Sequence, residues 1–269
     1  IQVQYKDQVA SFTTDSKSGK EFLNYTCKHF HQNPNRSRLQ VVTNSEQKIY
    51  INSHDDMNTQ IKNYDLLMLK YIGPQFNYQS VFLFEYIGPI VLWIILNKHL
   101  LSANSIAWLL HYTKRVLETL FVHKFSNDTM PLKNLFRNCA YYWGFAAWNA
   151  VSATKSCSST CNSLFLVLFL ILEAMNFYTH VVLKNLRPSG ERTYANPQNF
   201  CFKTVACPNY GFEVACWVVF SLYSKTIASW AFTVCGFAQI NQWAAQKRYR
   251  YKKLFGDEGK KKWKIVVGW

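Results

Sequence analysis

The sequence predicts a mainly α protein: a polytopic transmembrane bundle of about six helices, preceded by a small α/β domain of the β-grasp kind. Two observations lead there. Hydrophobic residues make up 49% and aromatics 17% of the 269 residues, and after Val81 they gather in runs approaching the ~20 residues that cross hydrocarbon as a helix. Residues 1–74 instead alternate apolar and polar positions around a short helical pattern, as a small soluble unit does. The expected division is therefore 1–74 and 75–269.

In chain order, "IQVQY" reads as a half-buried strand, and "LQVVT", "KIYI" and "LLMLKYI" supply three more. Ser18 and Glu21 have capping-box spacing, and Phe22, Leu23, Thr26, Cys27 and Phe30 follow on one helical face. "VFLFEYIGPIVLWIIL", 81–96, is an apolar segment carrying one Glu and one Pro. Residues 102–112 and 139–154 are weaker candidates, rich in Trp, Tyr and small side chains. "SLFLVLFLILEAMNFYTHVVL", 163–183, is the clearest span. Residues 211–240 suffice for two short passes broken around Ser224 and Lys225. Five or six segments result, and an even number would leave both polar ends on the cytosolic side.

The formal net charge is +15. Nine Lys or Arg fall between Lys247 and Lys264, opposed by Asp257 and Glu258. Behind an apolar span such a run is a flank held by the positive-inside rule, or a patch for anionic cofactors or lipid headgroups; nucleic acid is not an expected partner. The eight cysteines are scattered, so free thiols are expected. Cys157 and Cys161 have no His or further Cys pair nearby, and no metal site is expected. No basic and apolar leader opens the chain, so no secretory signal is expected.

Polar residues inside apolar segments point to chemistry. Glu173, Asn176 and His180 lie in the clearest span with Arg187 just beyond, and their spacing puts all four on one helical face. Ionisable groups there are costly unless they meet a partner or a wet cavity, so the stripe marks either a site or a bundle-locking hydrogen-bond array. Lys114 and Glu118 are four apart among Leu117, Leu120, Phe121 and Val122, where a Lys keeps its charge only beside an anion. His123 has no second metal ligand at a suitable spacing. "CPNYGFEV" sets a Tyr and a Glu at the mouth of an apolar segment, after a proline expected to end the segment before it. No Walker sequence, nucleotide-binding glycine loop or Ser-His-Asp order is present.

"TKRVLETLFVHKFSNDTMPLKNLFRNCAYYWGFAAW", "NFYTHVVLKNLRPSG", "CPNYGFEV" and "WAAQKRYRYKKLF" resemble, in order and style, the very-long-chain trans-2,3-enoyl-CoA reductases of the steroid 5-alpha-reductase superfamily, over about residues 65–255. The resemblance implies a ubiquitin-like domain before a multi-pass membrane enzyme of the endoplasmic reticulum. It implies NADPH-dependent reduction of a long-chain trans-2-enoyl-CoA, the last step of fatty-acid elongation, among membrane lipids and other elongation enzymes. It carries the catalytic roles onto Tyr210 and Lys114, and cofactor contacts onto Asn176, His180, Arg187, Asn209 and Tyr251, with Glu213 as an orienting neighbour. Tyr210 would be the general acid, eased by the cation of Lys114, which could alternatively stabilise the thioester enolate. The segment from Gly190 to Cys207 looks trimmed, Arg248 replaces an expected His, and "GDEGKKKW" stands where Asp-Tyr-Pro is common. These departures leave open a second reading, a reductase-derived scaffold subunit of a larger membrane complex, with the mitochondrial inner membrane as its setting.

Overall fold

The computed structural model describes residues 1–13, 18–42, 48–50, 66–125, 128–153, 159–186, 195–199, 201–260 and 262–265. The chain is mainly helical and divides into two compact units: Ile1–Asn77 with Thr129–Asn134, and Tyr78–Asp128 with Leu135–Trp269. The expected Arg187 contact and Cys157 lie outside the described residues.

The first unit holds strands β1 (Gln2–Tyr5), β2 (Gln8–Ser11), β3 (Ser37–Val42), β4 (Lys48–Tyr50) and β5 (Leu66–Tyr71) in one sheet of order β2-β1-β5-β3-β4. β1 and β5 run parallel, and the other pairs are antiparallel. Helix α1 (Gly19–His29) starts where the Ser18 hydroxyl accepts the Glu21 N–H at 3.3 Å. It buries Phe22, Thr26 and Cys27 in the core formed with Val3, Leu39, Leu67 and Leu69. The Thr26 hydroxyl, polar on that apolar face, donates back to the Phe22 carbonyl at 3.0 Å and is thereby satisfied. A two-stranded ribbon of β6 (Gln75–Asn77) and β7 (Thr129–Pro131) completes the unit.

The second unit carries α2 (Tyr78–Leu96), α3 (Ala103–Phe121), α4 (Leu132–Ser152, from Leu135 on), α5 (Ser159–Asn185), α6 (Pro208–Ser224) and α7 (Ile227–Lys260). Among the described residues, α2 and Asn162–Asn185 of α5 are long and apolar enough to cross a membrane. Trp93, Trp108, Trp217, Phe220 and Phe232 form the aromatic core, with Trp93 and Trp108 stacked at 4.6 Å. Outward faces are apolar as well: Ile95, Phe121, Leu164 and Ile171 are all more than half exposed.

Local chemistry sets the boundaries. The Ser102 hydroxyl caps α3 through the Ser105 N–H. Pro208 opens α6 at its first turn, with Cys207 as N-cap, so it does not close a preceding helix as its position suggested; a first-turn proline has no intrahelical N–H bond to lose. Lys225 ends α6 in the left-handed region at φ 54°, its N–H bonded to the Ser221 carbonyl. Gly256, at φ 53°, breaks the helical run of α7. Residues 262–265 then lie along 204–207: Trp263 N–H meets the Thr204 carbonyl at 2.7 Å, and Ala206 N–H meets that of Trp263 at 2.8 Å.

Candidate active site

α3 and α5 face each other with polar stripes. His111, Lys114, Arg115 and Glu118 fall at successive helical-turn positions on α3, as Glu173, Asn176 and His180 do on α5. The rungs are short. His111 Nδ1 lies 2.6 Å from Glu173 Oε1, Lys114 Nζ donates to Asn176 Oδ1 at 2.5 Å, and His180 Nδ1 lies 2.9 Å from Glu118 Oε1. Each rung joins residues 62 apart. A constant offset means that the two helices run in the same direction and in one register.

Charge is balanced within the stripe. Lys114 Nζ is 2.6 Å from Glu173 Oε2 and 3.7 Å from Glu118 Oε1. Arg115 donates from Nη1 to Glu118 at 2.9 Å and from Nη2 to the Tyr86 hydroxyl at 2.8 Å, its guanidinium 4.9 Å from that ring's centre. Two cations and two carboxylates thus neutralise one another within the stripe. Lys114 and Glu118 do not pair alone as neighbours on a helix surface; Leu117, Leu120 and Phe121 take the outside and the ions face in.

Asn176 links this ladder to α6, since its Nδ2 donates to the Asn209 carbonyl at 2.8 Å. Asn209, Tyr210 and Glu213, in the first turns of α6, line a cavity of about 630 Å3 together with Arg115, His123, His180 and Tyr251. Lys124, Lys184, Lys247 and Arg250 add positive charge to its wall, and Tyr78, Phe82 and Phe125 add apolar surface. Among the described residues, Asn209 Oδ1 is buried with no hydrogen-bond partner. Tyr251 is buried under the fold-back: Lys262 Nζ lies 5.3 Å from its ring centre and donates to the Pro197 carbonyl at 2.7 Å, while Arg248 Nε donates to the Lys262 carbonyl. The basic run is therefore partly built into the wall.

Of the residues singled out from sequence, Tyr210, Asn209, His180, Glu213 and Tyr251 meet at the cavity, and Lys114 and Asn176 form the layer behind it. Sequence reasoning missed Arg115, His111, Lys124 and Lys184, whereas Lys247 and Arg250 belong to the basic run already read as a patch for anionic cofactors. The spacing 111, 115, 118 on one face was the available signal. It also missed that the Glu118 carbonyl accepts from both Val122 and His123 N–H groups, at 2.9 and 2.7 Å, which turns the chain back at the end of α3. Consequently ligand atoms of Glu118, His123 and His180 lie within 4.8 Å of one another, an approach that chain spacing does not reveal. Burial, with Arg115 and His180 nearby, pushes His123 down to about 3, so its imidazole is neutral. Burial pushes the Cys207 thiol up to about 11, which leaves it protonated at neutral pH.

A helical unit that keeps ion pairs inside and apolar faces outside, with a cation-walled cavity at one end of its polar ladder, defines a class of proteins that perform or once performed chemistry within an apolar body. The chain belongs to the very-long-chain enoyl-CoA reductase family of the steroid 5-alpha-reductase superfamily: the family model described as 3-oxo-5-alpha-steroid 4-dehydrogenase matches residues 128–269. It is similar to the very-long-chain enoyl-CoA reductase of Dictyostelium discoideum, 38% identical over 218 residues, covering 75% of this chain and 73% of that protein. It is also similar to the probable very-long-chain enoyl-CoA reductase art-1 of Caenorhabditis elegans, 37% identical over 229 residues (75% and 74%). The human trans-2,3-enoyl-CoA reductase-like protein is 30% identical over 212 residues, 68% of this chain and 58% of that protein.

Proposed function

We propose that this chain reduces the 2,3 double bond of a long-chain trans-2-enoyl-CoA to give the saturated acyl-CoA, as a multi-pass protein of the endoplasmic reticulum membrane acting in fatty-acid elongation. The observation that carries the reading is the continuous path Glu173–Lys114–Asn176–Asn209, which ends beside Tyr210 at the cavity. Tyr210 is the acid that protonates the α-carbon. Lys114, balanced by Glu173, supplies positive charge behind it and favours loss of the phenolic proton.

The cavity suits NADPH: Asn209 Oδ1, unpaired among the described residues, is an acceptor for an amide or hydroxyl donor, and Lys247 and Arg250 are partners for phosphate. His180, Asn209 and Tyr251 would hold the cofactor, Asn176 would fix Asn209, and Glu213 would orient the Tyr210 end. Arg187 is proposed to add to the phosphate partners. When bound, NADPH supplies the hydride for the β-carbon.

The membrane reading rests on the same geometry. Because α3 and α5 run in the same direction, the chain between them must return, and 21-residue α4, ~32 Å at 1.5 Å per residue, is long enough to do so across the bilayer. For the first unit we infer a ubiquitin-like β-grasp, supported by the β2-β1-β5-β3-β4 order with α1 over the sheet.

The test is NADPH oxidation by the detergent-purified protein with a long-chain trans-2-enoyl-CoA, beside Tyr210→Phe and Lys114→Ala. Turnover lost by about 10²-fold or more in both variants is expected for an acid and its activating cation. An inactive unmodified protein that binds no NADPH would instead favour a scaffold subunit of a membrane complex, the reading that the trimmed 190–207 segment suggests.

A further inference from the structure

We propose that Glu118, His123 and His180 form a binding site for a first-row divalent cation of the zinc type, with its open coordination position facing the cavity. The three residues present one carboxylate and two imidazole donors within 4.8 Å of one another. Two His and one Glu with a free fourth position is the donor set that tetrahedral zinc uses where it meets a ligand.

Local structure makes the site adjustable. Donor atoms around a tetrahedral ion with bonds of about 2.0–2.2 Å are roughly 3.3 Å apart, so the trio must contract by about 1.5 Å at most. His123 stands just past the end of α3, beyond the turn that closes on the Glu118 carbonyl, and its ring meets that of His180 edge-on at 5.0 Å. Side-chain rotation at this boundary closes the gap without unwinding α3. An ionised carboxylate offers about four lone-pair sites, so Glu118 can take the ion and keep its 2.9 Å bond from Arg115. His180 exchanges its Nδ1 contact with Glu118 for the ion.

Charge permits this as well. Arg115 and Lys114 face the carboxylate at 2.9 and 3.7 Å, and Glu173 offsets Lys114 at 2.6 Å. An incoming cation therefore meets four ions that balance one another and two imidazoles; the wall cations Lys124, Lys184, Lys247 and Arg250 oppose it from across the cavity, offset in part by Glu213, and the donor atoms must outweigh that repulsion. Because His123 and His180 both line the cavity, the ion also occupies volume that a large anionic ligand would need. On the reading given under Proposed function, ion and NADPH exclude each other; the binding of the ion does not depend on that reading.

The experiment is a Co2+ titration of chelator-stripped, detergent-purified protein read by visible absorption. Tetrahedral bands saturating at one equivalent are expected. They should persist in Cys235→Ser, which removes an exposed thiol, and vanish in His123→Gln. His123→Cys should restore them with an added thiolate-to-metal charge-transfer band, which separates lost ligation from lost folding. Absence of bands, or bands unchanged in His123→Gln, would overturn the site. Co2+ bound through His123 while NADPH affinity stays constant would leave the site standing and overturn the exclusion. Failure of NADPH to bind with no metal present would count against the reductase reading alone.

Discussion

The side-chain amide of Asn176 holds Asn209 by its main chain: Nδ2 donates to the Asn209 carbonyl at 2.8 Å while Oδ1 accepts from Lys114. One neutral residue thus ties the buried ion ladder to the first turn of α6. Asn176→Leu has nearly the same size and can do neither. Unpaired buried polar groups cost about 1–3 kcal/mol each, so a lower melting temperature is expected together with loss of turnover. Asn176→Gln, with its amide displaced, should recover stability better than activity.

Glu173→Gln removes the carboxylate that serves both His111 and Lys114. Breaking a buried pair by deleting one partner costs about 3–5 kcal/mol. Adding Lys114→Met should return part of that stability without restoring turnover. A double-mutant cycle followed by thermal unfolding in detergent measures the difference, and simple additivity would show that the two residues are not coupled.

Gly88→Ala should destabilise the packing of α2 against α4. A Cβ at residue 88 would come within 1.9 Å of Trp143 Nε1, which donates to the Phe84 carbonyl at 3.0 Å. The ring must leave, at a cost of about 1–3 kcal/mol for an overpacked contact. Trp143→Leu placed on Gly88→Ala should be less harmful than on the unmodified chain, as read by melting temperature.

Lys225→Gly should stabilise the protein. A side chain in the left-handed region costs roughly 1–2 kcal/mol, and glycine escapes that strain while losing more backbone entropy on folding. A gain of up to about 1 kcal/mol is expected by thermal unfolding; a loss would show that the Lys225 side chain makes compensating contacts.

Much of the helical plan was legible because it follows local rules. The apolar runs at 81–96 and 163–183 fall within α2 and α5, the break near Ser224 and Lys225 falls between α6 and α7, and Ser18 caps α1. The stripe of Glu173, Asn176 and His180 was visible as a spacing of three and four. Its partners were harder to find, since a spacing says which face a residue occupies and not what faces it. Lys114 and Glu118 invited pairing with each other, whereas the fold turns both toward α5. Pro208 was legible as a boundary but not as a beginning, because a proline suits the first turn of a helix as well as it ends one. The approach of His123 to His180 depends on a turn made by main-chain bonds to Glu118, for which no residue type is diagnostic.

The shared register of α3 and α5 divides the chain into parts that can change length and parts that cannot. A residue gained or lost in a loop between the two helices alters the numbering offset but leaves every rung opposite its partner. A residue gained between His111 and Glu118 rotates everything beyond it by ~100°, carrying Glu118 off the inward face while His111 stays on it. For this ladder, length variation in the loops between α3 and α5 is harmless, and the spacing from residue 111 to residue 118 is a ruler that tolerates none.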